Sequence, residues 1–378
     1  MKILLVGEYN RAHKNIKEGL ELLGHQAIVV GLRDGFKKVD VDVKLKNYFE
    51  KGILKKLRVL FTLLFNFDYH GISMNYQINK HKNKLSNYDV IQFINEAPFL
   101  CNRKTQLKII KKLIKWNNRP FLLSCGTDYL SVKYAFDKKF RYDILTPYFQ
   151  NKKLQKHFSP ALSYLKNDHI ELHRYIYSKI NGVIANDIDY HIPLVGNPKY
   201  LGLIPHAINI DKIKFKPLIK NKKIIVFHGI NRNTFFKKGN DIFEKALDII
   251  AKKYSDRVEI VTVENLPYFE YIQAFDNSHI VLDQVYAYDQ GYNALEAMAK
   301  GKVVFTGAEQ EWLDYYNLEE DTVAINAIPD AEAIADKLEW LILNPSKIAE
   351  ISQNARNFIE KEHNYIECSK KYVKTWTS

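Results

Sequence analysis

Two stretches of the chain group residues that could hold a phosphorylated ligand. The first is His228-Gly229-Ile230-Asn231-Arg232, followed by Lys237-Lys238-Gly239 just ahead of an amphipathic segment. A guanidinium grips phosphate oxygens as a fork, an ammonium acts as a point charge, and a helix N-terminus adds free N–H groups. The competing reading is a solvated basic loop in a lysine-rich chain. The second stretch runs from Asp283 through Asp289-Gln290-Gly291-Tyr292-Asn293 into a helix expected over Ala294–Lys300. Gly291 leaves N–H groups open near a helix start, where an anion is favoured. Glu296, one turn in, could accept hydrogen bonds from two ribose hydroxyls, or could simply stabilise its own helix.

The first half of the chain offers weaker candidates. Ser124-Cys125-Gly126-Thr127-Asp128 follows an apolar run. Asp128 could orient a sugar hydroxyl or an acceptor, or could cap the next helix. Cys125 would need an activating base to be a nucleophile, and the sequence names none, so a buried bystander is expected. Gly7-Glu8-Tyr9-Asn10-Arg11 holds a single glycine, so it is no dinucleotide fingerprint, and a Walker A sequence is absent. Asp40-Val41-Asp42 and Asp187-Ile188-Asp189 both read as D-x-D, a pattern that holds a metal in some transferases. Neither is expected at a strand end, and no metal is expected.

The elements that must position these loops alternate. Lys2–Val6, Gln26–Val30, Val90–Ile94, Phe121–Ser124 and Gly182–Ala185 read as apolar strands, with a helix expected over Asn15–Leu23. A second series has strands at Lys222–Phe227, Val258–Val263, His279–Leu282 and Val303–Thr306. Helices are expected over Asp241–Lys252, Tyr268–Phe275 and Ile348–Glu360. Such runs imply parallel sheets buried on both faces, hence doubly wound α/β domains. The boundary is expected near Pro205–Pro217, with residues 1–210 as one domain and 211–360 as another. Two stretches break the alternation: Leu45–Phe65, basic and apolar together, and Tyr129–Tyr177, rich in lysine and aromatics.

Length and charge bound the rest. The 378 residues suggest two domains, and 46% hydrophobic composition gives each a core. The net charge of +13 favours anionic partners: nucleic acid, lipid headgroups or phosphorylated small molecules. No DNA-binding motif is visible, so nucleic acid is not expected. Lys104–Trp116 is basic, amphipathic and ends in a tryptophan, which suits a membrane interface as well as an ordinary sheet-covering helix. Three scattered cysteines, Cys101, Cys125 and Cys368, argue against a disulfide framework and for a reducing compartment. The N-terminal apolar run is too short for a signal peptide. A cytoplasmic protein, able to sit at the inner face of a membrane, is expected.

Taken together these residues resemble the retaining glycosyltransferases of the GT-B fold, the group 1 or family 4 type. The resemblance is carried by HGINRNTFFKKGNDIF at 228–243 and DQGYNALEAMAKGKVVF at 289–305, and more loosely by CGTD at 125–128, GVIAND at 182–187 and IPHAIN at 204–209. It implies two Rossmann-like domains facing across a cleft, with the donor held by the C-terminal one. Arg232 and Lys238 match the diphosphate contacts, acting as catalytic electrophiles with Asp128 opposite. Gly229, Asp289, Gly291, Tyr292, Asn293 and Glu296 match the donor side, and Gly7, Asn10, Cys125 and Asp128 the acceptor side. The last helix, 361–378, is expected to return to the first domain. The first acid of the family's E-x7-E falls on Tyr288, with Asp289 beside it, and Cys125 replaces a frequent histidine. The implied reaction needs no cofactor beyond the nucleotide-sugar co-substrate. It moves the sugar to a saccharide or lipid-linked acceptor in cell-surface polysaccharide synthesis. A non-catalytic nucleotide-sugar-binding subunit and a sugar-nucleotide epimerase are the rivals.

Overall fold

The computed structural model describes residues 1–32, 39–48, 52–65, 68–99, 101–216, 223–266 and 268–378. Pro217, Lys222 and residues 49–51 of the Leu45–Phe65 stretch lie outside the described residues.

The first sheet has seven parallel strands: β1 (Lys2–Val6), β2 (Gln26–Leu32), β3 (Val43–Leu45), β4 (Val90–Phe93), β5 (Pro120–Ser124), β6 (Gly182–Ala185) and β7 (Tyr200–Leu203). Their order is β3-β2-β1-β4-β5-β6-β7. The second has five: β8 (Ile224–Ile230), β9 (Val258–Glu264), β10 (Ile280–Leu282), β11 (Val303–Thr306) and β12 (Ile325–Asn326), in the order β12-β11-β10-β8-β9. Every pair is parallel. The central strands are buried along almost their whole length, as their continuous apolar sequences require. The sequence pattern did not mark β3, β7 or β12, which are short edge or near-edge strands, nor the helix Ala331–Leu343.

The helix Arg103–Trp116 is an ordinary sheet cover. Ile109, Ile110 and Leu113 are fully buried against the first sheet, so its apolar face is not free for a membrane. The Tyr129–Tyr177 stretch forms short helices and the longer helix Asn167–Lys179. A buried carboxylate fastens that helix: Glu96 accepts from His169 Nε2 (3.0 Å), His173 Nδ1 (2.5 Å) and Tyr129 N (3.1 Å). Burial pushes Glu96 up, but hydrogen bonds from the two histidines outweigh it and bring the carboxyl down to about 2.

After the long helix Pro345–Glu362 the chain crosses back, and the helix Tyr365–Thr377 packs along the helix Ala12–Leu22. Ser369 Oγ donates to Ile16 O (3.0 Å), and Trp376 Nε1 to Gln92 Oε1 (3.1 Å). Gly19 permits this approach: a Cβ there would lie 2.5 Å from Tyr365 O and collide with Ser369.

Candidate active site

In the second sheet β8 lies between β9 and β10, so the loops leaving β8 and β10 diverge and open a crevice at their carboxyl ends. Lys238, on the loop after β8, reaches across it. Its Nζ donates to Oδ1 of Asp283, the residue after β10, at 2.9 Å. Asn293 Nδ2 donates to the same oxygen at 3.0 Å. Asp283 is buried, so it fixes both donors from beneath. Tyr271 OH donates to Asn293 Oδ1 (3.2 Å), and Gly229 leaves room for the Tyr271 ring, which a Cβ would meet at 2.7 Å.

Arg232 stands outside this arrangement. Half-exposed, it forks onto Glu264 at the end of β9, with Nε–Oε2 at 2.9 Å, and its guanidinium lies 4.7 Å from the Phe235 ring centroid. To meet a diphosphate it must leave Glu264.

A cleft of about 610 Å³ separates the two sheets, in the range of small-molecule sites. Of the expected residues, Asn10, Cys125, Lys238, Asp289, Gly291 and Tyr292 line it. Gly7, Asp128, Gly229, Arg232, Asn293 and Glu296 are not part of its lining. Gly7, at φ 93°, passes so close to Ile94 that no side chain fits. Asp128 is the N-cap of the helix Tyr129–Phe136: it accepts from Ser131 N (2.7 Å) and from Ser124 Oγ. Each of its oxygens thus accepts a bond from its own loop or helix, and the buried carboxyl lies outside the cleft lining. Burial pushes the Cys125 thiol well up, so it stays protonated and a poor nucleophile. Lys237 also lines the cleft, and burial, then Lys238, lower its pKa. An arriving diphosphate would reverse that.

The largest departure from the sequence reading concerns Asp187-Ile188-Asp189. This pair stands directly after β6 and lines the cleft, contrary to expectation. Asp189 accepts from Tyr288 N and Asp289 N, each at 3.1 Å. Asp289 in turn accepts from Ile188 N at 3.0 Å. The two domains thus exchange carboxylate caps across the cleft. Burial raises Asp187 and Asp289 to about 7 each, with the Asp128 charge adding to the first and the Asp187 charge to the second, and burial, then Asp187 and Asp289, raises Asp189 well above the usual carboxylate range. Asp187 also lies 3.3 Å from Nε2 of His206, a cleft residue that burial lowers to about 4. Among the described residues no cluster of three or more His, Cys, Asp or Glu is arranged for a metal ion. Tyr288 turns from the cleft; its hydroxyl accepts from Arg141 N at 2.9 Å, and Arg141 pairs with Glu309 and Glu311 at 2.6 Å.

His206, Asp187, Asp189 and Asp283 were not singled out as site residues from sequence. Asp283 carried one usable signal, its place immediately after a strand of the nucleotide-type domain.

Residues 232–373 match a family model described as glycosyl transferase-like. Solved structures align over the whole chain. Sucrose-phosphate synthase from Thermosynechococcus elongatus is 14% identical with a TM-score of 0.62, the match covering 100% of this chain and 98% of that one. Anabaena HepE in complex with UDP and glucose is 14% identical with a TM-score of 0.58, covering 100% and 99%. The chain has the GT-B glycosyltransferase fold. A mutant of Staphylococcus aureus TarM in complex with Fondaparinux, alpha-GlcNAc-glycerol and UDP aligns over 80% of this chain and 58% of its own, at 14% identity and a TM-score of 0.52. No curated protein sequence matches the chain. In GT-B terms the first sheet belongs to the N-terminal domain, the second to the C-terminal domain, and the helix Tyr365–Thr377 ties the second back to the first.

Proposed function

We propose that this GT-B protein moves a sugar from a nucleotide-diphosphate donor to a saccharide or lipid-linked acceptor. The anomeric configuration is retained, no metal takes part, and the product is a cell-surface polysaccharide made at the inner face of the membrane. The observation that carries the reading is Lys238, held by buried Asp283 at the crevice between β8 and β10 and facing the cleft. Its setting within a segment that matches a glycosyltransferase family model supports the same reading.

The chemistry follows from charge. The bond from the anomeric carbon to the diphosphate oxygen breaks, and negative charge builds on the departing phosphate. Lys238, with Lys237 beside it and Arg232 released from Glu264, stabilises that charge. The acceptor hydroxyl bonds to the anomeric carbon from the face the leaving group vacates and gives its proton to the leaving phosphate oxygen. Gly291 N–H and the helix Tyr292–Ala299 face the same charge.

UDP, present in two of the solved neighbours, is the first nucleotide to test. Calorimetric titration of the protein with UDP, GDP and ADP, beside Lys238→Ala and Arg232→Ala, checks the reading. One diphosphate is expected to bind, and each variant to lose roughly tenfold or more of that affinity. Equal affinity in wild type and variants would refute the placement of the donor.

A further inference from the structure

We propose that the helix Gly52–Phe65 is an interfacial membrane helix by which the N-terminal domain docks on an anionic bilayer. This is a different surface from the donor cleft, and it stands or falls independently of the donor reading.

The helix has 14 residues and leaves the carboxyl edge of the first sheet after β3. Ile53, Leu60 and Leu64 are 75%, 50% and 65% exposed. Their spacing puts them on one helical face, with exposed Leu54 flanking it. None of the helix's described side chains joins a hydrophobic core. Large apolar side chains in water along one stripe are costly unless something covers them.

Charge identifies the cover. Lys55, Lys56 and Arg58 share the helix, and it contains no acid. The next helix, Tyr69–Lys80, exposes Ile72 and Tyr76. It is tied to the helix Arg103–Trp116 by Lys112 Nζ, which donates to Asn75 (2.7 Å) and Asn79 (2.8 Å). That third helix also contains no acid and exposes Lys104, Lys108, Lys111 and Lys115. An apolar stripe on an acid-free helix that also carries Lys55, Lys56 and Arg58 is the makeup of a segment lying in a headgroup layer that carries negative charge. A second copy of the chain fits poorly, because self-pairing would set cations against cations. Spanning is excluded by length: the helix reaches about 21 Å against a hydrocarbon core of about 30 Å.

The test is vesicle flotation of the full chain with phosphatidylcholine alone and with phosphatidylcholine containing phosphatidylglycerol, at low and high salt. The protein is expected to float with the anionic vesicles only, and less at high salt. Ile53→Asp/Leu60→Asp/Leu64→Asp is expected to lose binding by roughly a hundredfold, and Lys55→Glu/Lys56→Glu by roughly tenfold. Thermal melts like the wild type's confirm that the variants fold. No partition into anionic vesicles, or wild-type partition by both variants, overturns the proposal. So does light scattering that shows a dimer which the triple variant dissociates.

Discussion

Raising the pH should loosen the seam where Asp187, Asp189 and Asp289 meet between the domains, and Asp289→Asn should remove much of that sensitivity. The sign follows from linkage. Asp289 is raised by burial, and then by Asp187, to about 7. Its contribution to stability is therefore fully present below the unfolded value near 4 and is lost as pH rises through about 7. Between pH 5 and pH 7 one group loses about two units' worth, roughly 3 kcal/mol, since one unit is about 1.4 kcal/mol. Wild-type melts alone would hide this. His13 and His206 are lowered by burial to about 4, and His363 to about 3, so they weaken the fold as pH falls below about 6.5. The informative quantity is the difference between the two proteins. Asparagine cannot ionise and still offers one oxygen to Ile188 N or Gln290 N, at a pH-independent cost of about 1 kcal/mol. Urea unfolding of both proteins at pH 5, 6, 7 and 8 is the assay. The variant is expected to start slightly less stable at pH 5 and to gain roughly 3 kcal/mol on the wild type by pH 8. Stability curves that stay parallel across that range would refute the argument that burial keeps the seam protonated.

Three further outcomes test other parts of the structure. Lys238→Ala should cost about 2–3 kcal/mol of stability, because it leaves the Asp283 carboxylate buried without its cation, discounted because the lysine is one-third exposed. Lys238→Arg should recover most of that in the same unfolding assay. Gly19→Ala should destabilise by about 1–3 kcal/mol, although alanine is the better helix former by about 1 kcal/mol, because the new Cβ meets Ser369 and Tyr365 O. A higher melting temperature for that variant would show that the packing of the last helix on the first domain is loose. Trp376→Ala should cost about 3–5 kcal/mol in the same assay, since the ring is fully buried and its Nε1 donor to Gln92 is lost.

The alternation of apolar runs and helical periodicity was enough to read two parallel sheets, because strands buried on both faces must be apolar throughout. The loops after β8 and ahead of the helix Tyr292–Ala299 were equally legible, since a glycine, clustered cations and a helix start are all local signals. Elements held by little more than one neighbour, such as β3 and β12, left no such pattern.

What only tertiary structure decided is whatever depends on residues far apart in the chain. Asp189 and Asp289 are 100 residues apart, and each carboxylate accepts from a backbone N–H of the other's loop because two separate domains close on each other. Lys238 and Asp283 meet across a sheet switch point, 45 residues apart. The same reason separates two basic amphipathic helices that read alike in sequence. Arg103–Trp116 buries Ile109, Ile110 and Leu113 on the sheet, while Gly52–Phe65 keeps Ile53, Leu60 and Leu64 in water. Periodicity says that a helix has an apolar face, but only the fold says what that face meets.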